Sequence, residues 1–313
     1  MAVLSGCSEA EHLNPLDPLS PDFENVGVLE GRVTDRGFVP LAGVEVRLEP
    51  LGATTQTAAD GTFSFGGVAP GDYTLSLSGS GLEPAAEAVT VELGKVLSGA
   101  YTLNALPTVG GVSLTTVHVS RWWPQEDLYR LDASATASDP DGLSDVAGVR
   151  LAIALLSMEF ALQPTLEPGV FALSLTEADL GATLHSLLGR DLTITVSDQV
   201  DAALVAGPYF LSRIIDIIPE TAEPSGSQEV PGGSPLLTWP PAVIPFDHTF
   251  QIDVYRVDEN VSTNVHSADD IEPGVLSFQV ADTFPTGTYY WTLSIVDEFG
   301  NRSRSKEAGF LVP

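Results

Sequence analysis

In TAADGTFSFGGVAPGDYTLSLSG, residues 57–79, apolar side chains recur at every second position and the runs break at glycine and proline. Such a pattern suits short, half-buried β-strands joined by tight turns, and it defeats a helix, whose apolar face repeats every 3.6 residues. Asp60-Gly61 has the chemistry of a hairpin turn and Pro70-Gly71 that of a second. Phe63 and Phe65 then share one face of one strand, and Tyr73, Leu75 and Leu77 share one face of the next. Just upstream, Val44, Val46 and Leu48 alternate with Glu45, Arg47 and Glu49 in VEVRLE. With 29 Gly and 23 Pro in 313 residues, turns are plentiful and many short strands are expected. A chain this long also exceeds what one hydrophobic core usually organises, so two or three domains are expected.

The same alternation continues downstream. It occurs at Tyr129, Leu131, Ala133 and Ala135, at Val149, Leu151 and Ile153, at Phe171, Leu173 and Leu175, and at Leu192, Ile194 and Val196. Between the last two sets, TEADLGATLHSLLG offers Thr176 as an N-cap, Asp179 three residues on and Gly189 as a stop, which predicts one short helix. Pro219 to Pro235, PETAEPSGSQEVPGGSP, has the composition of a linker. Beyond it, Trp239, then Phe250, Ile252 and Val254, then Tyr289, Trp291, Leu293 and Ile295 mark further strands, with both tryptophans expected in the core.

Three resemblances follow from these residues. GRVTDRGFVPLAGVEVRL followed by the Asp60 to Leu75 pattern resembles the carboxypeptidase regulatory-like domain, which implies a transthyretin-like seven-stranded sandwich. The middle region resembles bacterial immunoglobulin-like modules, and the last resembles a fibronectin type III domain. The expected fold is all-β: three tandem β-sandwich domains, transthyretin-like over 27–106, Ig-like with one short helix over 107–218 and fibronectin III-like over 236–313. Residues 219–235 link the last two, and 1–26 form an N-terminal tether.

That tether contains the chain's one cysteine. Leu4-Ser5-Gly6-Cys7 resembles the lipobox of bacterial lipoproteins, which implies lipid attachment at Cys7 after cleavage before it. The basic and apolar stretches of a secretory signal are missing ahead of Leu4, so a working lipobox would place the true start upstream of Met1. Residues 8–26 are polar, acidic and proline-rich, as a tether should be. The implied location is the bacterial cell envelope, extracytoplasmic and held to the outer membrane or cell surface. A single thiol also excludes an internal disulfide and a cysteine-rich metal site.

Charge narrows the partners. Thirteen Lys plus Arg stand against 42 Asp plus Glu, a formal charge of −29, which repels phosphate backbones and anionic headgroups. No nucleic-acid partner is expected; the expected partner is a protein or a glycan.

Candidate sites are few. Asp139, Asp141 and Asp145 in SDPDGLSD could gather oxygens around Ca²⁺, but Asp-Pro-Asp-Gly is also a β-turn in its preferred residue order, and the turn is the expected role. DEFGN, Asp297 to Asn301, reads the same way. In SRWWPQ, strand alternation would send one of Trp122 and Trp123 into the core and leave the other exposed, where it could stack on a sugar ring, or at the seam with the first domain, where it would stiffen the rod; the structural role is the expected one. The histidines His12, His118, His185, His248 and His266 show no HExxH spacing, GxSxG is missing, and Ser303-Arg304-Ser305-Lys306 satisfies only the short SxxK pattern. No catalytic residue, cofactor or metal is expected. The sequence thus points to a non-enzymatic, lipid-anchored modular stalk that presents β-sandwich surfaces, with a carbohydrate-binding accessory protein as the first alternative and an enzyme with an unfamiliar site as the second.

Overall fold

The computed structural model describes residues 20, 25–259 and 261–313. Cys7 and His12 lie outside the described residues. The chain forms two compact units. The first holds the described residues up to Thr108 together with Ser138–Ala147 and Ser197–Leu204, and the second holds the remainder.

Seven strands build the sandwich of the first unit: β1 (Gly27–Thr34), β2 (Glu45–Glu49), β3 (Ala53–Gln56), β4 (Thr62–Val68), β5 (Gly71–Ser78), β6 (Ala85–Val91) and β7 (Val96–Thr102). One sheet has the order β4-β1-β7 and the other β3-β2-β5-β6. The turn at Asp60-Gly61 carries the chain from β3 in one sheet to β4 in the other, so it is a crossing between sheets rather than the expected hairpin. In the β1–β4 pair Leu29 lies opposite Phe65 and Gly31 opposite Phe63. In the facing sheet, Val46 pairs with Leu77 and Leu48 with Leu75. Because side chains alternate between faces, these registers bring Leu29, Leu48, Phe63, Phe65, Leu75 and Leu77 into one buried cluster with Tyr101. Gly31 is required there: a Cβ would stand 2.7 Å from the rings of both Phe63 and Tyr101. Gly61 makes the turn between the sheets at φ 79°.

The second unit opens with β8 (Thr108–Val119), β9 (Leu128–Ser138), β10 (Val146–Ile153), β11 (Met158–Pro164), β12 (Val170–Thr176), β13 (Leu192–Asp198) and β14 (Ala203–Tyr209), some of whose end residues belong to the first unit. It continues with β15 (Gln228–Glu229), β16 (Leu236–Thr238), β17 (His248–Asp258), β18 (Val261–Ile271), β19 (Ser277–Gln279), β20 (Gly287–Asp297), β21 (Arg302–Arg304) and β22 (Ala308–Val312). The alternating residues of β9, β10 and β13 named above are buried at Leu131, Ala133, Ala135, Val149, Leu151, Ile153, Leu192, Ile194 and Val196. Trp239, Phe250, Ile252, Trp291, Leu293, Ile295 and Phe310 form a second core, joined by Ile215.

The architecture is nearly all-β, in tandem sandwiches, as expected. Two local features differ from the sequence expectation. Residues of 107–218 and 236–313 share hydrogen-bonded sheet: β8 runs parallel to β21, with Val117 opposite Arg302 and Val119 opposite Arg304. Residues 219–235 are built into the same unit, since β15 pairs with β22 and the Pro224 carbonyl accepts the Trp291 indole N–H at 2.9 Å. Proline-rich composition reports only that the segment cannot be helical; it does not report whether a neighbour accepts it.

The predicted helix is present but shorter. Thr176 caps α1 (Glu177–Leu180) in a full capping box with Asp179, and Gly181 at φ 62° ends it. A 3₁₀ turn, Leu184–Leu187, follows before Gly189. Gly181 adopts the left-handed conformation that terminates helices, so the stop comes one glycine early. Among the described residues no helix is long and apolar enough to cross a membrane.

Candidate functional site

The two acidic turns that look alike in sequence are bonded differently. At the end of β20, Asp297 Oδ1 accepts the backbone N–H groups of Phe299 and Asn301, each at 2.9 Å. Its Oδ2 accepts from Arg213 at 2.7 Å and from the Asn301 amide at 3.0 Å. Both oxygens are saturated, so this carboxylate holds a turn. Arg213 is fixed in turn by Glu298 and by the Phe246 ring, 4.3 Å below its guanidinium.

The Asp139 turn lies wholly in the first unit. Asp-Pro-Asp-Gly does close a β-turn, with Gly142 N–H donating to the Asp139 carbonyl at 3.0 Å. Asp141 is used up: Oδ1 accepts from the Arg36 N–H and Oδ2 from the Ala105 N–H, at 3.0 and 2.8 Å. Asp139 Oδ1 accepts the Asp141 N–H at 2.8 Å, but its Oδ2 is buried with no donor. Asp145 Oδ2 is likewise buried and unpartnered, as is Asn104 Oδ1. Asp198, at the end of β13, completes the group. Its Oδ1 accepts from the N–H groups of Val200 and Ala202, and its Oδ2 from the Asn104 amide at 2.6 Å.

One oxygen from each of Asp139, Asp145 and Asp198 lies within 4.8 Å of the others. Burial, and then the like charges of Asp141, Asp145 and Asp198, hold the Asp139 carboxyl above the ordinary aspartate range against the pull of the Asp141 N–H. Asp198 goes the other way: burial raises it, but the hydrogen bonds from Asn104, Val200 and Ala202 and the charge of Arg36 bring it below that range. Of this group the sequence singled out Asp139 and Asp145. Asp198 and Asn104 are 94 residues apart, and no local pattern joins them.

Trp122 and Trp123 are both exposed, at 63% and 83%. They sit on an irregular loop between β8 and β9, so the alternation of a pleated strand, which would have buried one of them, does not operate. The Trp122 indole N–H donates to the Glu307 carbonyl at 2.8 Å, and the Lys306 ammonium stands 4.5 Å from the ring centre. Trp122 borders an open groove of about 570 Å³ whose other walls include Ser120, Gln125, Asp127, Thr221 and Lys306.

From Asp127, on this loop, a polar line that spacing could not reveal runs inward to the buried His118 and Ser303. His118 contacts Ser303 Oγ at 3.2 Å and the Ile215 carbonyl at 3.0 Å through Nδ1, and Asp127 Oδ2 at 3.1 Å through Nε2. Its ring stacks on Tyr129 with centres 4.3 Å apart. Serine, histidine and aspartate in line suggest a nucleophile, a base and an orienting carboxylate. Yet Ser303 is 0% exposed and His118 is 2% exposed, so no substrate carbonyl can approach the hydroxyl in this fold. The line ties β21 and β8 to Ile215 and to the start of β9. In the SxxK pattern, Ser303 is engaged by His118 and Lys306 by the Trp122 ring.

Comparison with known proteins agrees with the first domain. Residues 28–104 match the family described as carboxypeptidase regulatory-like domain. No curated protein matches the chain in sequence. Among solved structures, the chain is similar to the Bacillus anthracis TIE protein at 12% identity and a TM-score of 0.29, covering 92% of this chain and 48% of that one. It is similar to the chicken CNTN1 FN1-FN3 domains at 10% identity and a TM-score of 0.34, covering 86% and 90%. A putative carbohydrate binding protein from Bacteroides uniformis aligns over 59% of this chain and 93% of its own, at 10% identity and a TM-score of 0.25. At TM-scores of 0.25 to 0.34 these likenesses carry no functional weight, and the fold assignment rests on the strand pairing above.

Proposed function

We propose that this chain is a non-catalytic binding protein of the bacterial cell envelope, tethered by lipid on Cys7, and that the loop carrying Trp122 and Trp123 contacts a glycan. The observation that supports it is the exposure of two adjacent tryptophans on one loop, the first of them lining a groove whose walls carry hydroxyl, amide and carboxylate groups. An indole left in water exposes a large apolar face, and a stretch with two of them marks an interaction surface. Sugar rings present apolar C–H faces rimmed by hydroxyls, which suits an aromatic platform beside Ser120, Gln125, Asp127 and Thr221. Trp122 is held in place by its N–H bond to Glu307, so little freedom is lost on contact.

The test is a fluorescence titration with soluble envelope polysaccharide. Trp123→Ala and Trp122→Ala are each expected to weaken binding at least about tenfold, on the order of 1.4 kcal/mol. Binding that survives the double substitution would place recognition elsewhere and favour a stalk whose sandwich faces meet a protein. The tether is tested separately: mass spectrometry of protein produced with its native upstream region should find an acylated N-terminal Cys7. An unmodified Cys7 inside an intact chain would remove the anchor.

A further inference from the structure

A buried carboxylate oxygen without a donor is costly, because burial strips its water and nothing replaces it. The first unit holds two such oxygens, Asp139 Oδ2 and Asp145 Oδ2, and the amide oxygen of Asn104, whose NH₂ bonds Asp198, is also buried without a donor. Asp139 is only 7% exposed, so solvent does not serve it. The Asp297 turn shows that this sequence satisfies an aspartate fully where a turn alone is wanted, with four donors on two oxygens. Asp198 has donors on both oxygens, but Asp139 and Asp145 each keep one buried oxygen without any, and one cation would serve both.

We infer that Asp139, Asp145 and Asp198, with the amide oxygen of Asn104, form a Ca²⁺ site within the first compact unit. The donors are all oxygens, which selects a hard cation. The carboxylate oxygens lie within 4.8 Å of one another, which two Ca–O bonds of about 2.4 Å span. Arg36 Nη2 is 3.7 Å from Asp145 Oδ1, and this one guanidinium leaves an excess of negative charge on Asp139, Asp145 and Asp198, with Asp141 beside them, that a divalent ion would offset. Asp141 is not a ligand; its oxygens fasten the backbone at Arg36 and Ala105 and so shape the turn that aims Asp139. The ion would fasten the segments carrying Asp139, Asp145 and Asp198 to the one carrying Asn104, joining stretches far apart in sequence inside one unit.

Calorimetric titration of the full chain, stripped with EGTA, with CaCl₂ decides the matter alongside thermal melts in Ca²⁺ and in EGTA. Saturable binding is expected in the micromolar to millimolar range, with melting raised by about 5 °C or more once free Ca²⁺ exceeds the dissociation constant about 100-fold. Asp139→Asn keeps the Oδ1 acceptor for Asp141 and replaces the orphan oxygen with an N–H donor. This variant should melt at or above the wild type in EGTA yet lose the Ca²⁺ response; Asp145→Asn should lose it as well. Absence of binding heat and of a melting shift in the wild type would overturn the site and leave a shared proton as the group's counter-charge. Undiminished binding by both variants would overturn it too, by placing the ion elsewhere. An equal response to MgCl₂ would overturn the choice of Ca²⁺.

Discussion

Asp297 illustrates how much one side chain can carry. It is fully enclosed, and its two oxygens satisfy two backbone N–H groups, the Asn301 amide and the Arg213 guanidinium. Asp297→Ala would strand all of these at once. The loss expected in urea unfolding is about 3 kcal/mol or more, with no change in any Ca²⁺ response. Asp216 makes the opposite case. Burial raises its carboxyl, but hydrogen bonds from His185 and the Tyr129 hydroxyl prevail and leave it below the ordinary aspartate range. A depressed carboxylate stabilises the fold above its unfolded value of about 3.9 and loses that contribution as pH falls through its lower folded value. Asp216→Asn should therefore lower stability slightly at neutral pH and flatten the acid loss below about pH 4, which pH-dependent melting would read. The effect is small because the pair is half-exposed. At this scale the sequence was only partly legible. Asp139 and Asp145 could be marked because Asp-Pro-Asp-Gly announces a turn, but whether a turn's carboxylate is satisfied depends on donors such as Asn104 and Arg36 that only the fold supplies. Trp122 and Trp123 escape the alternation of a strand because the chain leaves β8 after Val119, so both stand exposed.

Elements were far more legible, because burial on one face of a strand imprints period two on the sequence itself. Val46 and Leu48, Phe63 and Phe65, and Leu75 and Leu77 all fall on the buried faces of β2, β4 and β5. β20 shows what the pattern hides. Its residues Trp291 to Ile295 are buried on both faces, and its edges are paired with β17 on one side and with β21 and β22 on the other. Leu293 lies in the Trp239 and Trp291 core, so Leu293→Ala is expected to cost about 2–5 kcal/mol in chemical unfolding. Thr292, on the opposite face, is enclosed with a hydroxyl that has no partner. Thr292→Val should thus be neutral or stabilising by up to about 1 kcal/mol, and a loss comparable to that of Leu293→Ala would mean that the hydroxyl is bonded after all. The helix was legible in its start and not in its end. The capping box is local chemistry between Thr176 and Asp179, whereas two glycines, Gly181 and Gly189, both offered a stop. Short pairings such as β8 with β21 left no mark in sequence, as each strand reads the same whatever lies beside it.

For the whole molecule the dominant fact is charge: 42 acidic side chains against 13 Lys and Arg. Such an excess opposes compaction through mutual repulsion, while pairs such as Arg213 with Asp297 and Arg304 with Glu307 oppose it only locally. Screening should therefore help this protein more than it harms it. Raising NaCl from about 0.01 to 0.15 M shortens the Debye length from roughly 30 to 8 Å, which weakens repulsion among surface carboxylates but leaves enclosed pairs nearly intact. Melting temperature is expected to rise over that range, in wild type and in Asp139→Asn alike. A specific ion acts differently, since replacing NaCl with CaCl₂ at constant ionic strength should raise melting in the wild type alone. If salt instead lowers the melting temperature, attraction within ion pairs outweighs the repulsion implied by a net charge of −29, and the acidity would have to be understood as part of the fold rather than as a load upon it.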